Sequence, residues 1–223
     1  QLGTGVEATD IVRIRNTFYD FQFRSESHNQ GETGVKYEHY TNMETIFNEP
    51  SDTSISASIS NFFSSWQELS KNPNDVGSKD IVIQNSKYLA NNISNIKEKL
   101  ENLSSQANEK LNKDVDEIND MLNQLKELDK HIKIVQGSGK SPNDLMDERD
   151  KILDDLSFKM NLNNDDLKVA LEKGLSKVDR EGETQIKLTY GDPSETKTIE
   201  GKSISGEIQG SFEMIDKIKE YTD

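Results

Sequence analysis

The feature that most constrains the fold of this chain is a run from Ser78 to Val135 that contains neither proline nor glycine. Both residue types weaken or break helices, so a run of this length permits one uninterrupted helix. Apolar residues recur within it at the steps of three and four that place side chains on one helix face. They are Leu89, Ile93, Ile96, Leu100, Leu103, Ala107, Leu111, Val115, Ile118, Leu122 and Leu125. At about 1.5 Å per residue the predicted helix is on the order of 85 Å long, far longer than a compact domain requires.

An earlier helix is predicted to begin at Ile11, where apolar residues first recur at helical spacing, and to continue to Phe47. Gly31 and Gly34 are points at which it could break, since each glycine costs about 1 kcal/mol relative to alanine inside a helix. Pro50 is expected to end it.

The next helix is predicted to follow the run of capping residues that ends at Ser54. Its apolar stripe, at steps of four, three, four and three, consists of Ile55, Ile59, Phe62, Trp66 and Leu69. A turn at Asn72-Pro73-Asn74 then leads into the long helix, which predicts an antiparallel helical hairpin. In such a hairpin we expect Trp66 to be largely buried against the long helix.

Two more helices complete the helical part of the chain. Gly137 and Gly139 are expected to stop the long helix, and Ser141 to cap a helix over residues 142–160. The apolar side of that helix carries Leu145, Ile152, Leu153 and Leu156. A last helix is predicted over residues 206–222, with Ile208, Phe212, Ile215 and Ile218 on one face.

Between these two helices the pattern changes to short alternating runs at residues 167–171 and 186–190, separated by Gly174, Gly182 and the turn at Gly191-Asp192-Pro193. Such runs are typical of strands. The predicted fold class is therefore mainly α, an elongated helical bundle with one very long helix and a small β excursion before a returning C-terminal helix. The predicted domains are a rod-like helical domain, 1–160 together with 204–223, and a small β-rich insertion, 161–203.

The composition narrows the classes of function. A net charge of −14 and a pI of about 4.7, without a dense basic run, argue against nucleic acid and anionic membranes as partners. No apolar run approaches the roughly 18 residues of a membrane span. The chain has no cysteine, which excludes disulfides and thiolate metal sites.

Two local motifs that could carry chemistry each lack a required glycine. Gly139-Lys140-Ser141 matches the end of a phosphate-binding loop, but Ile134 stands where that motif has its first glycine. Residues 161–172 partly match a calcium loop, with Asn161, Asn163, Asp165 and Glu172 at ligand positions, but Asp166 occupies the sharp turn that requires glycine. We expect a helix-helix turn and a solvated loop at these two places.

Other polar residues also point away from chemistry. His28, His39 and His131 have neither metal-ligand nor catalytic spacing, and no nucleophile motif occurs. The acidic run Asp114, Asp116, Glu117 and Asp120 is expected on the solvent side of the long helix. The sequence therefore predicts no catalytic, cofactor or metal site, and a protein that is not an enzyme.

The segment from Leu145 to Ser157 combines an apolar face with paired charges. Asp150 and Asp154 are four residues apart, and Arg149 is flanked by Asp147 and Asp150, so a carboxylate cage around one guanidinium is sterically available. The alternative is an ordinary surface ion pair, which contributes little. With the stripe described above, the residues predicted to build the structural core are Ile55, Ile59, Phe62, Trp66, Leu69, Leu145, Arg149, Ile152 and Leu156.

Several segments together resemble one family. Residues 145–157 are similar to the "L-x-D-x-R-D-x-L-L-D-x-L-S" segment of the flagellar hook-associated proteins, specifically of those that form the first hook-filament junction. Gly3-Thr4-Gly5-Val6-Glu7 with Arg13 and Phe18, residues 62–73, and Gly206-Glu207-Ile208-Gln209-Gly210 agree with the same family, in the right order. The chain is thus identified as resembling a structural subunit of the bacterial flagellum.

The resemblance implies a rod-like domain built from both ends of the chain around a variable β insertion, here a short one. It also implies location in the extracellular flagellum after export through the flagellar apparatus, and action by subunit packing. The implied partners are copies of itself in a junction ring, the hook protein, the second junction protein and an export chaperone. The chaperone contact and the polymerising coiled coil belong to terminal segments that we expect to lie outside this sequence.

Two alternatives remain open. Another flagellar axial protein, such as the second junction protein or a flagellin, would share the helical architecture. A helical secretion chaperone or adaptor would share the acidity and the bundle, but would not explain a β excursion between helices.

Overall fold

The computed structural model describes residues 16–47 and 51–222. In chain order, the elements are α1 Thr17–Phe47, α2 Ile55–Lys71, α3 Val76–Gly137, α4 Asn143–Lys159, α5 Asp165–Glu172, β1 Leu175–Glu181, β2 Gln185–Tyr190, β3 Glu195–Glu200 and α6 Gly206–Thr222. The mainly α class, the single very long helix and the small sheet before a returning helix are confirmed. The predicted helix start at Ile11, the stop at Pro50, and the resemblance at residues 3–7 and Arg13 lie outside the described residues.

The chain forms two compact units, each assembled from distant parts of the sequence. Unit 1 is Gln1–Gly34 with Leu111–Phe212, and unit 2 is Val35–Lys110 with Glu213–Asp223. Helices α1, α3 and α6 each contribute residues to both units. The division into a helical domain and a 161–203 insertion stays a prediction.

Unit 1 packs its part of α3 with α4, α5, the sheet and the start of α6. The apolar face of α3 supplies Leu111, Val115, Ile118 and Leu122, all buried. The rest of unit 1 also supplies side chains that are fully or almost fully buried. They are Leu156, Met160, Leu167, Ile186, Leu188, Ile204, Ile208 and Phe212. The core of unit 1 is therefore shared by helices and sheet.

The sheet has three antiparallel strands in the order β1-β2-β3. The central strand β2 alternates, with Ile186, Leu188 and Tyr190 buried, which is the pattern of a strand with one face on a core. Gly182, in the turn between β1 and β2, has a φ of 64°, a conformation that glycine adopts without strain. The strand predicted at 186–190 is confirmed.

The alternating run at residues 167–171 was expected to be a strand, and this prediction was wrong. These residues lie in α5, whose N-cap Asn164 accepts hydrogen bonds from the backbone of Asp166 and Leu167 through its side chain. Leu167 and Ala170, three residues apart, are both buried. A capped helix of two turns satisfies this apolar pair as well as a strand would, and periodicity over so few residues cannot separate the two.

Helix α1 continues to Phe47 through Gly31 and Gly34, so neither glycine interrupts it. Its buried residues recur at every fourth position: Ser27, Gly31, Val35, His39 and Met43. Most of these are small or polar, while the large Tyr37 and Tyr40 are exposed. The buried face of α1 therefore has no clear apolar stripe by which the sequence could identify it.

The ends of α3 and α4 differ in detail from expectation, whereas the start of α2 does not. The cap of α2 is Ser54, the last of the four candidate caps at residues 51–54, and its Oγ accepts a hydrogen bond from the Ala57 amide. The N-cap of α4 is Pro142, which makes no side-chain cap hydrogen bond, so the predicted cap Ser141 lies one residue too early. Helix α3 extends two residues further at each end than predicted, from Val76 to Gly137.

Candidate functional site

Lys159, the last residue of α4, brings together carboxylates from two other helices. Its Nζ lies 3.0 Å from Asp114 Oδ1 and 2.7 Å from Glu117 Oε2, both on α3, and 3.1 Å from Glu207 Oε2 on α6. Lys159 and Asp114 are buried, with Asp114 at 0% exposure. Since a buried charge that loses its partner is very costly, this cluster favours one arrangement of α3, α4 and α6 over others.

The pKa of Lys159 reflects this surrounding. Burial alone would lower that pKa, but hydrogen bonds to Glu117 and Asp114 and the charges of Asp114 and Glu207 raise it well above its ordinary value. Lys159 therefore stays protonated in the folded protein at neutral pH.

The position of Asp114 corrects one expectation. The acidic run of α3 was predicted to face solvent, which holds for Asp116 and Asp120 but not for Asp114. Glu117, the fourth member of the run, is half-buried and contacts Lys159. Asp114 follows Leu111 by three residues, so helical geometry places it beside the buried stripe. On α4, Lys159 follows Leu156 by three residues in the same way. A charged residue at an apolar position on each of two helices indicates a buried ion pair, and the sequence analysis did not use this signal.

The carboxylate cage of α4 exists, but it holds a different arginine from the one expected. Arg24 of α1 donates from Nε to Asp154 Oδ1 at 2.7 Å and from Nη2 to the Asp150 carboxylate and carbonyl, each at 3.2 Å. Arg149 instead pairs with Asp129 of α3 through Nε at 2.6 Å, in a more exposed setting. The two aspartates at i and i+4 were a correct signal for a guanidinium site, but local spacing could not show that the guanidinium comes from 126 residues earlier in the chain.

Asn119 of α3 binds the outer edge of the sheet. Its Nδ2 donates to the Val178 carbonyl and its Oδ1 accepts from the Val178 amide, both at 2.8 Å. An edge strand leaves such backbone groups unpaired, so a side-chain amide that matches both closes the edge. Arg180 of the same strand lies over the Phe212 ring, 5.7 Å from its centroid, and links β1 to α6.

Glycine at position 31 allows α1 and α4 to approach closely. A Cβ placed on Gly31 would lie 2.1 Å from the Phe158 carbonyl oxygen, closer than any real contact. Phe158 also meets Phe23 edge to face, with ring centroids 6.0 Å apart. A glycine that lowers the helix propensity of α1 is therefore a packing requirement of unit 1.

The apolar stripe of α2 is less buried than expected. Trp66 is 50% exposed and Ile59 is 41% exposed, so the prediction that both belong to the core was wrong. The remaining members, Ile55, Phe62 and Leu69, are half-buried.

The reason lies in small residues, since the buried positions of α2 are Ser58 and Ser65, together with its N-cap Ser54. Asn92 of α3 donates to Ser58 Oγ at 2.9 Å. Serines let two helices approach closely, and the bulky side chains are then left at the rim of the contact.

The predicted core residues of α4 divide between buried and half-buried. Ile152 and Leu156 are buried, whereas Leu145 and Arg149 are half-buried. Their exposure increases toward the start of α4, so the buried part of this helix is its C-terminal half.

The two motifs that lack a required glycine, at residues 139–141 and 161–172, have structural roles in this fold. Gly137 ends α3, and Gly139 has a φ of 78° in the turn before α4. The Asn161 side chain accepts a hydrogen bond from the Asn163 amide, and Asp165 begins α5. Within residues 16–47 and 51–222, no three His, Asp or Glu side chains are grouped as a metal ion would require. In the same residues, every helix is too short or too polar to cross a bilayer.

The long α3, the ionic and amide contacts made to it, and the glycine contact between α1 and α4 define a helical protein in which polar side chains fix helices and sheet to one another. A family model described as the flagellar hook-associated protein FlgK helical domain matches residues 40–222. The chain belongs to this family, and the resemblance drawn from the sequence is confirmed.

Relatives agree with the family. The chain is 33% identical over 190 residues to flagellar hook-associated protein 1 of Bacillus subtilis, covering 84% of this chain and 36% of that protein. It is 27% identical over 158 residues to flagellar hook-associated protein 1 of Salmonella typhimurium, covering 70% and 28%. The chain therefore spans about a third of the length of the relatives it matches.

A solved structure shows the same fold. The flagellar hook junction protein FlgK of Burkholderia pseudomallei superposes with a TM-score of 0.59 at 19% identity, over 87% of this chain and 38% of that one. At this level of identity the likeness concerns the fold.

Proposed function

We propose that the protein is a structural subunit of the bacterial flagellum at the junction between hook and filament, and that it acts through subunit packing and not through catalysis. The observation that carries this proposal is membership of the hook-associated family over residues 40–222. The charge clusters fit it, since the buried Lys159 and the half-buried Arg24 each pair with carboxylates of neighbouring helices.

The proposed partners follow from the same family. They are copies of the protein itself in a junction ring, the hook protein, the second junction protein and an export chaperone. The protein would be exported through the flagellar apparatus and located in the extracellular flagellum. A rod-like domain with a 161–203 insertion is part of the proposal.

The experiment that tests this function removes the encoding gene from its bacterium. We expect cells that build hooks, lack filaments and release filament subunits into the medium, because the platform for filament growth is absent. Supplying the full-length gene on a plasmid should restore filaments. Normal filaments in the deletion strain would contradict the proposed function.

A further inference from the structure

The α2-α3 hairpin of unit 2 exposes large apolar side chains on both helices. On α2, Ile59, Phe63 and Trp66 are 41%, 65% and 50% exposed and recur at steps of four and three, so they form one strip along the helix, which we call the α2 strip. The N-terminal part of α3 adds further exposed residues: Val76, Ile81, Ile83, Tyr88 and Ile93. Single exposed apolar residues are ordinary, but a continuous strip of three on one helix face marks an interaction surface.

The α2 strip is organised before any partner arrives. Phe62, half-buried beneath it, contacts Phe63 and Trp66 edge to face, with ring centroids 5.2 Å and 6.3 Å away. Large rings with few rotatable bonds that are already held in place lose little conformational entropy on binding. Aromatic residues of this kind are enriched at the centres of protein interfaces.

The charge of the hairpin indicates what kind of partner it fits. Residues 51–96 contain only four acidic residues and three lysines, so they carry −1 of the −14 charge of the chain. The acidic members are Asp52, Glu68, Asp75 and Asp80, and the lysines are Lys71, Lys79 and Lys87. The hairpin therefore offers little electrostatic attraction to a basic partner, because most of the net negative charge lies in the rest of the chain.

Two copies of a chain with charge −14 repel each other over most of their surfaces. The hairpin is a long stretch where they can meet with little like-charge repulsion, and the α2 strip supplies the apolar area that drives contact. We propose that the α2 strip is a contact surface for a second copy of this chain. This inference rests on the proposed function, since an array of subunits is what brings such hairpins together.

The protein carries its own probe of this contact. Trp66 is the single tryptophan of the chain and lies in the α2 strip, so its fluorescence reports burial of this surface. With increasing concentration of the 223-residue chain, we expect the Trp66 emission to shift to shorter wavelength while the sedimentation coefficient rises.

Two variants with matched chemistry decide the assignment. Phe63→Lys places a charge on the α2 strip at an exposed position and should weaken self-association by at least about tenfold, a typical effect for a residue at the centre of an interface. Val169→Lys changes a residue of α5 that is 46% exposed, and should leave association unchanged. Circular dichroism should show the native helix content in both variants.

Three results would overturn the proposal: no change in emission up to the solubility limit, equal association of native and Phe63→Lys chains, or a shift that requires purified hook protein or second junction protein. These results are separate from the test of function. If the deletion strain loses its filaments while Phe63→Lys associates normally, the junction function stands and the α2 strip assignment is wrong.

Discussion

The ammonium of Lys159 lies 3.0 Å from a carboxylate oxygen of Asp114, and both side chains are buried although they stand 45 residues apart in the sequence. The pair connects the end of α4 to the middle of α3, between the fully buried Leu111 and Ile118. An ionic contact at this depth is specific, because removing Lys159 takes away the ammonium that compensates the buried Asp114 carboxylate.

Replacing Lys159 by methionine keeps most of the side-chain volume and leaves Asp114 without its cation. We expect this variant to lower the free energy of unfolding by about 3–5 kcal/mol, the cost of an uncompensated buried charge. Urea denaturation followed by circular dichroism measures it. The matched control is Lys130→Met, which removes an exposed pair with Glu127 and should change stability little. Equal effects of the two substitutions would show that the buried cluster is not specific.

Arg24 of α1 and Arg149 of α4 are also expected to differ in how much each contributes to stability. Arg24→Met removes the donor to Asp154 and Asp150, in a pair whose side chains are 17% and 15–28% exposed, and should cost about 1–3 kcal/mol. Arg24→Lys should recover only part of this, since an ammonium cannot reproduce the planar fork of the guanidinium. Arg149→Met, in a more exposed pair, is the control and should cost clearly less. A larger loss for Arg149→Met in urea denaturation would reverse the assignment of the cage.

These residues show which features of the fold could be predicted from the sequence and which could not. The stripe from Leu100 to Leu125 predicted a continuous helix correctly, because a periodic pattern over that length has only one regular solution. Arg24 could not be assigned to Asp154, since nothing local connects residues 130 positions apart. Trp66 was placed in the core because apolar spacing identifies a stripe, but the serines beside it decide which face of α2 packs on α3.

His39 gives unit 2 a dependence on pH. Burial lowers the pKa of His39 below its ordinary value of 6.5, the charge of Lys110 acts in the same direction, and the charge of Glu38 partly offsets them. The unfolded chain therefore binds a proton as the pH falls below about 6.5 while the folded chain does not, so stability should decrease with falling pH until the folded pKa is reached. For one proton the slope cannot exceed about 1.4 kcal/mol per pH unit.

Urea denaturation at pH 7.5 and 5.5, taken at roughly one pH unit on either side of the ordinary histidine pKa, checks this expectation. His39→Met removes the titrating group and should reduce the pH-dependent loss. His131→Gln changes an exposed histidine of α3 and should leave it as in the native chain. An undiminished loss in His39→Met would assign the pH dependence to other groups.

The two glycines of α1 provide a final pair of opposite expectations. Both lie in the interior of one helix, three residues apart, so alanine should bring the same gain in helix propensity at each, up to about 1 kcal/mol. At Gly34 no atom lies within 4 Å of the added Cβ, and Gly34→Ala should raise the free energy of unfolding by about that amount.

At Gly31 the same methyl group would lie 2.1 Å from the carbonyl oxygen of Phe158, which is backbone and cannot rotate away. Helices α1 and α4 must then move apart, which disturbs the Phe23–Phe158 contact, and overpacking of this kind typically costs about 1–3 kcal/mol. Gly31→Ala should therefore destabilise the protein in the same urea experiment in which Gly34→Ala stabilises it. If both variants gained stability, α1 and α4 would not be in close contact at Gly31. If both lost stability, the gain in helix propensity would not decide the effect of alanine at Gly34.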